Sequence, residues 1–421
     1  MALGIKYLPY LVAINLTRRC NLGCPHCYMD AQQRNTAQDG EITLDEVEAV
    51  FDDIAGHAPG TIVVLTGGEP LMHPDIEAMV SAGAKSGLRV VMGTNGTLLT
   101  RGRIEALKAL GLSGVGISLH SVNADQHDAF CGVPGAFRKS CEAIASCGTH
   151  DLHAQVHFTV TRKNYDQIGE IVHLAKKLGA RIVNFFFLVC VGRGESTLDL
   201  SPDLYEKALK RIADLQKSAG GIMVQTRCAP HYKRILYEND PASPHTRATG
   251  YDGGGCPAGT HYCRIDTQGL VTPCPYIESA AGSIREQSFW EIWTDAPLLR
   301  SFREPVLEGR CGACEYRRLC GGCRARSRAR DGNLFGEDPN CTYVPRGADV
   351  IAVSPVSSGG DPTVVWTREA EERLQKIPVF LRSMIKQRLE QKASAEGVSV
   401  TTAFMERYRQ KRERDTGIKF R

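Results

Sequence analysis

The chain has 421 residues, 16 cysteines and a formal net charge of +4 at pH 7. It contains no run of about 18 apolar residues, and its first residues include neither a basic segment nor a small-residue cleavage site, which argues against a membrane span and a secretory signal. We therefore expect a cytoplasmic protein of two or three domains, and the small net charge gives no reason to expect a nucleic-acid partner.

Residues 11 to about 220 alternate short apolar runs with amphipathic stretches, six times in succession. The apolar runs are "LVAINL", "TIVVLTGG", "RVVMGTNG", "GVGISLHS", "AQVHFTV" and "IVNFFFLV". Strand and helix pairs in series predict a parallel sheet with helices outside it. We predict an α/β fold with a partial (β/α)6 barrel, whose chemistry is expected at the C-terminal ends of its strands.

Polar and cysteine-rich segments follow the first four predicted strands. Cys20 to Cys27 follow the first strand, Gly67 to Pro70 the second, Thr94 to Gly96 the third and Ser118 the fourth. All four segments are expected at one mouth of the barrel.

Beyond residue 225 the periodicity fades, and Gly-rich turns around a short hairpin are predicted. Residues 346–363 are interpreted as a linker, and the helical spacing after it breaks near Pro378 and again at Gly397. We predict a barrel over 1–224, a cysteine-rich domain over 225–345 and a basic helical domain over 364–421. The last has 14 Lys and Arg against 8 Asp and Glu, which indicates either a solvated helix surface or an anionic partner.

Eleven of the 16 cysteines lie between residues 20 and 27 or between 256 and 341. In a reducing compartment, such clusters bind metal or react more often than they form disulfides. The other five, Cys131, Cys141, Cys147, Cys190 and Cys228, are interpreted as plain thiols.

Cys20, Cys24 and Cys27 are spaced as CxxxCxxC. Structural zinc prefers four ligands, and no fourth cysteine lies nearby in the sequence. Three thiolates can instead hold three corners of a four-iron cluster, which leaves the fourth iron open to a small molecule.

This motif, placed just after the first strand of a βα series, resembles the signature of radical S-adenosylmethionine (SAM) enzymes. The resemblance implies that SAM binds the open iron and that an electron from the reduced cluster splits SAM into methionine and a 5′-deoxyadenosyl radical. The cofactors carry the chemistry and the protein supplies position and electrostatics.

The same resemblance implies the SAM contacts. Gly67, Gly68, Glu69 and Pro70 match the family's GGEP segment, whose exposed backbone and carboxylate receive the SAM amino group. The remaining implied contacts are Ser118 at the ribose, Thr94 and Asn95 at the same mouth, and His26 and Tyr28 against adenine. Cys131 stands where relatives have an arginine for the SAM carboxylate, so Arg138 and Arg162 are considered as substitutes.

Eight later cysteines resemble the SPASM extension, which binds two auxiliary four-iron clusters. The resemblance implies one set of Cys256, Cys263, Cys274 and Cys323 and a second set of Cys311, Cys314, Cys320 and Cys341. Some relatives lack a counterpart of Cys263. Between Cys320 and Cys323 there are two intervening residues, where many members have three. Zinc remains an alternative for the CxxC pairs.

Several segments, including "INLTRRCNLGCPHCYMDA" and "HDAFCGVPGAF", resemble the branch that contains heme synthase and the heme d1 biosynthesis enzyme. The tail resembles the small helical domain of light-independent protochlorophyllide reductase, on the pattern Trp366, Glu369, Ala370, Ile377, Pro378 and Arg382. Only about ten residues precede the first strand, whereas peptide maturases usually carry a peptide-clasping domain there. A tetrapyrrole substrate is therefore expected.

The implied reaction removes hydrogen from the β-carbon of a porphyrin propionate, releases CO2 and passes the surplus electron to an auxiliary cluster, for example from iron-coproporphyrin III to heme. An electron donor such as flavodoxin or ferredoxin is implied, and the motifs do not reveal catalytic residues at the substrate. Two alternatives remain open: a peptide-crosslinking maturase with the same clusters, and a non-catalytic iron–sulfur electron carrier.

Overall fold

The computed structural model of the chain describes residues 7–33, 39–241, 246, 255–351, 364–375 and 379–416. The strands in these segments are β1 Leu11–Asn15, β2 Arg19–Cys20, β3 Gln32–Gln33, β4 Ile62–Thr66, β5 Arg89–Thr94, β6 Gly114–Ser118, β7 His153–Val160, β8 Ile182–Phe187, β9 Met223–Arg227, β10 Tyr262–Ile265, β11 Leu270–Thr272 and β12 Gly282–Ser283.

The helices in the same segments lie between and after these strands. They are α1 Leu44–His57, α2 Ile76–Lys85, α3 Arg101–Ala109, α4 Ala124–Cys131, α5 Ala136–Thr149, α6 Ile168–Lys177, α7 Pro202–Ser218, α8 His231–Asn239, α9 Phe289–Asp295, α10 Pro297–Arg303, α11 Gly309–Ala313, α12 Arg324–Asp331, α13 Arg368–Gln375, α14 Val379–Glu396 and α15 Thr402–Thr416.

The central sheet runs in the order β12-β11-β10-β1-β4-β5-β6-β7-β8-β9. Strands β1 and β4 to β9 pair in parallel with their neighbours, and helices connect them. This confirms the predicted α/β fold with a partial (β/α)6 barrel. The structure adds a seventh parallel strand, β9, at one edge and an additional helix, α4, before the predicted α5.

Alternate strand residues face opposite sides of the sheet. Val12 and Ile14 of β1 belong to the large hydrophobic core beneath the outer helices. Ala13 and Asn15 therefore face the barrel interior. The same alternation on the other parallel strands gives the barrel a packed outer layer, and the intervening side chains line its interior.

The cysteine-rich part of the chain is joined to the barrel through its hairpin. Strands β10 and β11 pair antiparallel, which confirms the predicted hairpin. Strand β10 also pairs in parallel with β1, with Val12 opposite Cys263. The sequence pattern did not predict this pairing, and it extends the barrel sheet into the cysteine-rich segment.

The tail helices pack on one another through a hydrophobic cluster that includes Ala370, Leu389, Val400 and Phe404. Trp366 Nε1 donates to Glu390 Oε1 at 2.9 Å. Helix α14 ends just before Gly397, as predicted, whereas Ile377, Pro378 and residues 352–363 of the predicted linker lie outside the described residues. None of the described helices is long and apolar enough to span a membrane.

Candidate functional site

The three cysteines of the CxxxCxxC loop lie together just beyond the end of β1. Cys20 is buried, and Cys24 and Cys27 pack against the same small cluster. Backbone N–H groups point at two of the sulfurs: Leu22 N donates to Cys20 Sγ at 3.5 Å and Ala31 N to Cys27 Sγ at 3.4 Å. Burial raises the pKa of Cys20 to about 12. Metal ligation, which requires thiolates, would therefore release protons here.

Among the described residues, no three His, Cys, Asp or Glu side chains are arranged to hold a single metal ion. A four-iron cluster is larger than one ion, and its own atoms separate its ligands. Cys20, Cys24 and Cys27 pack in one cluster but are not arranged around a single ion, so they fit a larger group such as a four-iron cluster.

Arg193, which no sequence motif marks, is hydrogen-bonded to the cysteine loop at several points. Its Nε donates to the Cys24 carbonyl at 3.1 Å and its Nη1 to the Ala31 carbonyl at 2.6 Å and to Asp30 at 2.8 Å. Its own N–H donates to the Cys27 carbonyl at 3.0 Å. The segment after β8 therefore fixes the conformation of the loop after β1.

The GGEP segment after β4 packs against the same loop. Gly68 N donates to the Thr17 carbonyl and Glu69 N to the Arg19 carbonyl, each at 2.8 Å. Gly67 has φ +140°, and a Cβ there would lie 2.7 Å from the Thr17 carbonyl oxygen. The chain's own backbone thus already requires glycine here, whatever ligand approaches from the mouth.

The Glu69 carboxylate is held at the junction of two strand ends. It is fully buried and accepts hydrogen bonds from Leu71 N at 3.1 Å, Thr94 Oγ1 at 2.8 Å and Asn95 N at 2.9 Å. Burial raises the pKa of Glu69, and these hydrogen bonds oppose that shift. Glu69 therefore ties the second and third strand ends together at the mouth of the barrel.

The third strand end contacts the cysteine loop directly. Asn95 Nδ2 donates to Asn21 Oδ1 at 2.8 Å, and Asn21 Nδ2 donates to Thr97 Oγ1 at 2.7 Å. Thr94 and Asn95 are thus brought to the mouth predicted for them, where they bind protein groups.

The two side chains expected at adenine lie in different surroundings. The His26 ring stacks on Phe130 at 4.9 Å between centroids and contacts His120 edge-on. Burial lowers the pKa of His26 to about 4, and its Nδ1 has no hydrogen-bond partner among the described residues. Tyr28 instead donates to Asn15 Oδ1 at 3.2 Å inside the barrel. An unpartnered buried Nδ1 leaves His26 free to form a hydrogen bond with a ligand.

A fourth cysteine does lie beside the loop in space, although it is over 100 residues away in sequence. Cys131 is 1% exposed, belongs to the same cluster as Cys20 and is hydrogen-bonded to the Cys24 side chain. Arg138 pairs with Glu142, and Arg162 donates to the Asp199 carbonyl, so both guanidinium groups are engaged elsewhere.

The barrel interior is lined by polar side chains whose hydrogen-bonding capacity is not fully used. Ser118, His157, Asn184 and Gln225 are register neighbours on four adjacent strands. Asn184 Oδ1 and Asn15 Nδ2 are buried without a hydrogen-bond partner among the described residues. Orphaned buried polar atoms are uncommon in folded proteins. A polar ligand in the barrel would satisfy both.

Two arginines add positive charge to this interior. Burial lowers the pKa of His157 to about 4, and the nearby Arg227 guanidinium lowers it further. Burial raises the pKa of Tyr28 to about 12, and Arg264 opposes that shift. Arg264 is itself buried and donates to Thr272 Oγ1 at 3.1 Å. A ligand carrying carboxylates would find charge-assisted donors here.

One auxiliary set is brought together as implied. Cys311, Cys314, Cys320 and Cys341 line one cavity. Three of the sulfurs accept backbone hydrogen bonds: Cys311 from Asp338 N at 3.5 Å, and Cys314 and Cys320 from the N–H two residues later at 3.4 Å. Arg234 and Arg310 also line the cavity. Arg234 is paired with Glu206 and Glu238, and Arg310 with Glu337, so the feature that suits an anionic iron–sulfur cluster is the set of backbone donors to the sulfurs.

The other auxiliary set is brought together only in part. Cys256, Cys274 and Cys323 share one hydrophobic cluster, but Cys263 lies in the core on the outer side of the sheet. Cys228, interpreted from the sequence as a plain thiol, packs in the same hydrophobic cluster as Cys256, Cys274 and Cys323. An isolated cysteine 28 residues before Cys256 carries no spacing signal, so the sequence could not have found it.

Comparisons with known proteins identify three parts of the chain. Residues 14–196 match the Radical SAM superfamily, residues 256–324 match the SPASM iron-sulfur cluster-binding domain, and residues 366–409 match the proto-chlorophyllide reductase 57 kD subunit. These matches confirm the three resemblances found in the sequence.

Two relatives and one solved structure are similar over most of the chain. The AdoMet-dependent heme synthase of Methanosarcina barkeri is 40% identical over 80% of this chain and 97% of its own length. The pre-heme d1 synthase of Dinoroseobacter shibae is 31% identical over 79% of this chain and 85% of its own. Streptococcus suis SuiB bound to S-adenosylmethionine superposes with a TM-score of 0.65 at 16% identity, covering 80% of this chain and 78% of that one, and shares the fold.

Proposed function

The chain belongs to the radical SAM family with a SPASM domain, and from that membership we propose that it is an oxidative decarboxylase of tetrapyrrole biosynthesis that converts porphyrin propionates to vinyl groups. The proposed conversion is iron-coproporphyrin III to heme. The observation that carries the proposal is the 40% identity to a heme synthase along 97% of that relative. The match of the tail to a protochlorophyllide reductase subunit also favours a tetrapyrrole.

The polar barrel interior supports a substrate with carboxylates. A porphyrin presents a broad apolar ring and a small number of propionates. Arg227 and Arg264 supply guanidinium groups, which bind carboxylates in a fork geometry. Asn15 and Asn184 each have a buried polar atom left to satisfy. We propose that these four residues orient the propionate that reacts.

We propose the following cofactor assignments. Cys20, Cys24 and Cys27 hold a four-iron cluster with an open iron for SAM. The residues that line the SAM site are His26, Tyr28, Gly67, Gly68, Glu69, Pro70, Thr94, Asn95 and Ser118. When bound, SAM and the reduced cluster supply a 5′-deoxyadenosyl radical that removes hydrogen from the propionate β-carbon. Arg193 and the GGEP backbone hold the cysteine loop in place.

The product also requires an acceptor for one electron, because loss of CO2 from the substrate radical leaves a surplus electron as the vinyl group forms. We propose that the SPASM cysteines hold two auxiliary four-iron clusters for this purpose, giving three clusters in all. The ring of Tyr28, beside the cysteine loop, lies 5.4 Å from the ring of Tyr276, beside the auxiliary cysteines. A donor such as flavodoxin or ferredoxin in the cytoplasm would reduce the SAM cluster.

For the domain organisation, we propose a radical SAM barrel over 1–224, a SPASM region over 225–345, a linker over 346–363 and the helical domain over 364–421. Strand β9 crosses the first boundary. The tail packs through its own hydrophobic cluster. Its basic surplus would suit a substrate rich in propionates.

The test is anaerobic incubation of the reconstituted protein with SAM, dithionite and each candidate tetrapyrrole, with products identified by mass. Loss of two CO2 from iron-coproporphyrin III is expected, together with 5′-deoxyadenosine. The matched control is Cys20→Ala. This variant lacks one ligand of the SAM cluster, so no cluster with an open iron should form and no 5′-deoxyadenosine should be produced.

Two other outcomes would redirect the proposal. Loss of whole propionates from didecarboxysiroheme would select the heme d1 reaction. Absence of any tetrapyrrole product, with 5′-deoxyadenosine formed only when a peptide is added, would replace the proposal with a peptide maturase.

A further inference from the structure

We propose that Cys228, from the segment between the barrel and the SPASM domain, completes one auxiliary cluster site with Cys256, Cys274 and Cys323, and that Cys263 is a residue of the hydrophobic core. The inference rests on the proposed iron–sulfur chemistry of the chain and is independent of its substrate.

The position of Cys263 is set by the strand on which it lies. Cys263 stands opposite Val12 in the parallel pairing of β10 with β1. Paired residues on adjacent strands point to the same side of a sheet, and Val12 points into the core beneath the outer helices. Cys263 is 0% exposed and belongs to that core, with Phe289 and Trp293. Burial raises its pKa, with Arg303 opposing the shift, and no thiol of another described residue contributes.

The other four cysteines are mutual neighbours. Cys228, Cys256, Cys274 and Cys323 pack in one cluster with Phe302 and Ile277. Burial raises the pKa of Cys274 well above its usual range, and Cys228, Cys256 and Cys323 raise it further. Burial raises the pKa of Cys228 to about 12, with contributions from Cys323 and Cys256. Burial likewise raises the pKa of Cys256 to about 11, and Cys323 adds to that shift. Each of the four thiols is therefore close enough to influence the other three.

The backbone at Cys228 is held in an unfavourable conformation. Its φ is +58°, which side-chain-bearing residues rarely adopt. Its carbonyl accepts hydrogen bonds from Arg326 Nη2 at 3.0 Å and Tyr205 Oη at 3.3 Å, both from buried side chains. Strained positions of this kind persist where the surrounding structure fixes them, and they are frequent at functional sites.

Tyr276 and Arg326 connect Cys228 to the SPASM cysteines. The Tyr276 hydroxyl hydrogen-bonds to the Cys228 side chain and lowers its pKa, while a backbone hydrogen bond from Tyr276 does the same for Cys274. Arg326 follows Cys323 by three residues, at the start of α12. The donors and cation that thiolate ligands need are thus in place around Cys228 and the three SPASM cysteines.

The test uses the full chain with Cys20, Cys24 and Cys27 replaced by Ala, so that only auxiliary iron remains. This parent is expected to hold about eight iron atoms after anaerobic reconstitution, as two four-iron clusters. Adding Cys228→Ala should reduce the iron to about four, or leave a three-iron cluster with its own electron paramagnetic resonance (EPR) signal. Adding Cys263→Ala, the matched control, should leave iron content and EPR spectrum unchanged.

Cys228→Ser covers the case in which the alanine variant does not fold, since the hydroxyl preserves the shape of the site. It should change the EPR spectrum of one cluster while the circular dichroism stays that of the parent. Unchanged iron and spectra in both Cys228 variants would overturn the inference, as would loss of a cluster in Cys263→Ala. A parent without auxiliary iron would overturn the proposed auxiliary chemistry itself, and this inference with it.

Discussion

Cys131 places a thiol against Cys24, a proposed ligand of the SAM cluster. His127 Nδ1 accepts the N–H of His120 at 3.1 Å, so the proton of the neutral ring lies on Nε2, which faces Cys131 Sγ at 3.4 Å. Burial lowers the pKa of His127 to about 4, which keeps the ring neutral near pH 7. The Cys131 sulfur thus accepts from His127. With Cys24 bound to iron as a thiolate, as proposed, the proton between the two sulfurs would belong to Cys131, which would then donate to Cys24.

We predict that Cys131→Ala lowers the reduction potential of the SAM cluster, because hydrogen bonds to cluster sulfurs stabilise the reduced state. A hydrogen bond worth about 1 kcal/mol corresponds to roughly 40 mV for a one-electron couple. The measurement is a redox titration followed by EPR. Cys131→Ser should stay near the wild-type potential, and Cys141→Ala, a thiol on α5 outside the site, should not shift it. An unchanged potential in Cys131→Ala would contradict the donor role.

At the scale of elements, three strand-end loops position the cysteine motif. The GGEP loop bonds to the backbone after β1, the segment carrying Arg193 bonds to Cys24 and Ala31, and Asn95 bonds to Asn21. Most of these contacts use backbone groups. The motif loop is thus held by neighbours that converge on one end of the parallel sheet, which is where such sheets commonly place their active sites.

Gly68→Ala should displace this loop, because a Cβ at Gly68 would overlap the Arg19 carbonyl. We expect a loss of about four iron atoms per chain, with both auxiliary clusters retained. The measurement is iron content together with SAM binding. Gly102→Ala is the matched control: it lies on α3 with nothing within 4 Å of a new Cβ, and it should be neutral or slightly stabilising. Full occupancy of the SAM cluster in Gly68→Ala would show that the loop tolerates the displacement.

At the scale of the whole molecule, a buried carboxylate joins the barrel to the cysteine-rich region. Asp338 accepts from Arg326 Nε at 3.0 Å and from Cys323 N at 2.6 Å, and lies 3.2 Å from His231 Nε2 on α8. Its own N–H donates to Cys311 Sγ. Asp338 therefore contacts one auxiliary cysteine set and a barrel-side helix through its side chain, and the other cysteine set through its backbone.

Asp338→Ala should destabilise the protein by roughly 3–5 kcal/mol, because it leaves the buried Arg326 charge unpaired. Denaturant unfolding under anaerobic conditions measures this. The neighbouring Glu337→Ala breaks the partly exposed pair with Arg310 and should cost at most about 1 kcal/mol. Equal losses of unfolding free energy in the two variants would show that the buried pair stabilises the protein no more than the partly exposed pair does.

The pH dependence of this pair follows from its charges. Burial alone would raise the pKa of Asp338, but Arg326 and His231 hold it well below its usual range. A carboxyl group with a lowered folded pKa stabilises the fold above the unfolded value of about 3.9, and the stabilisation is lost as pH falls through the folded value. The difference in unfolding free energy between wild type and Asp338→Ala should therefore shrink as the pH falls below about 3.9 toward the folded pKa of Asp338.

Local patterns are sufficient to predict most of the barrel. Outward residues such as Val12 and Ile14 alternate with inward ones, and the side chains of Thr43 and Glu46 form a capping box that marks the start of α1. Both signals come from residues that lie only a few positions apart in the sequence. The pairing of β10 with β1 depends on two segments about 250 residues apart, and no local pattern records it.

The sequence by itself determined the order of strands and helices, the three-cysteine motif and the presence of SPASM cysteines, because hydrophobic period and residue spacing are local properties of the chain. Only the tertiary structure decided which thiols meet. The register of β10 on β1 turns Cys263 into the core, Arg326 and Tyr205 hold Cys228 beside the SPASM cysteines, and the end of α4 brings Cys131 to Cys24. Those positions depend on which face of a strand a residue occupies and on contacts between distant segments.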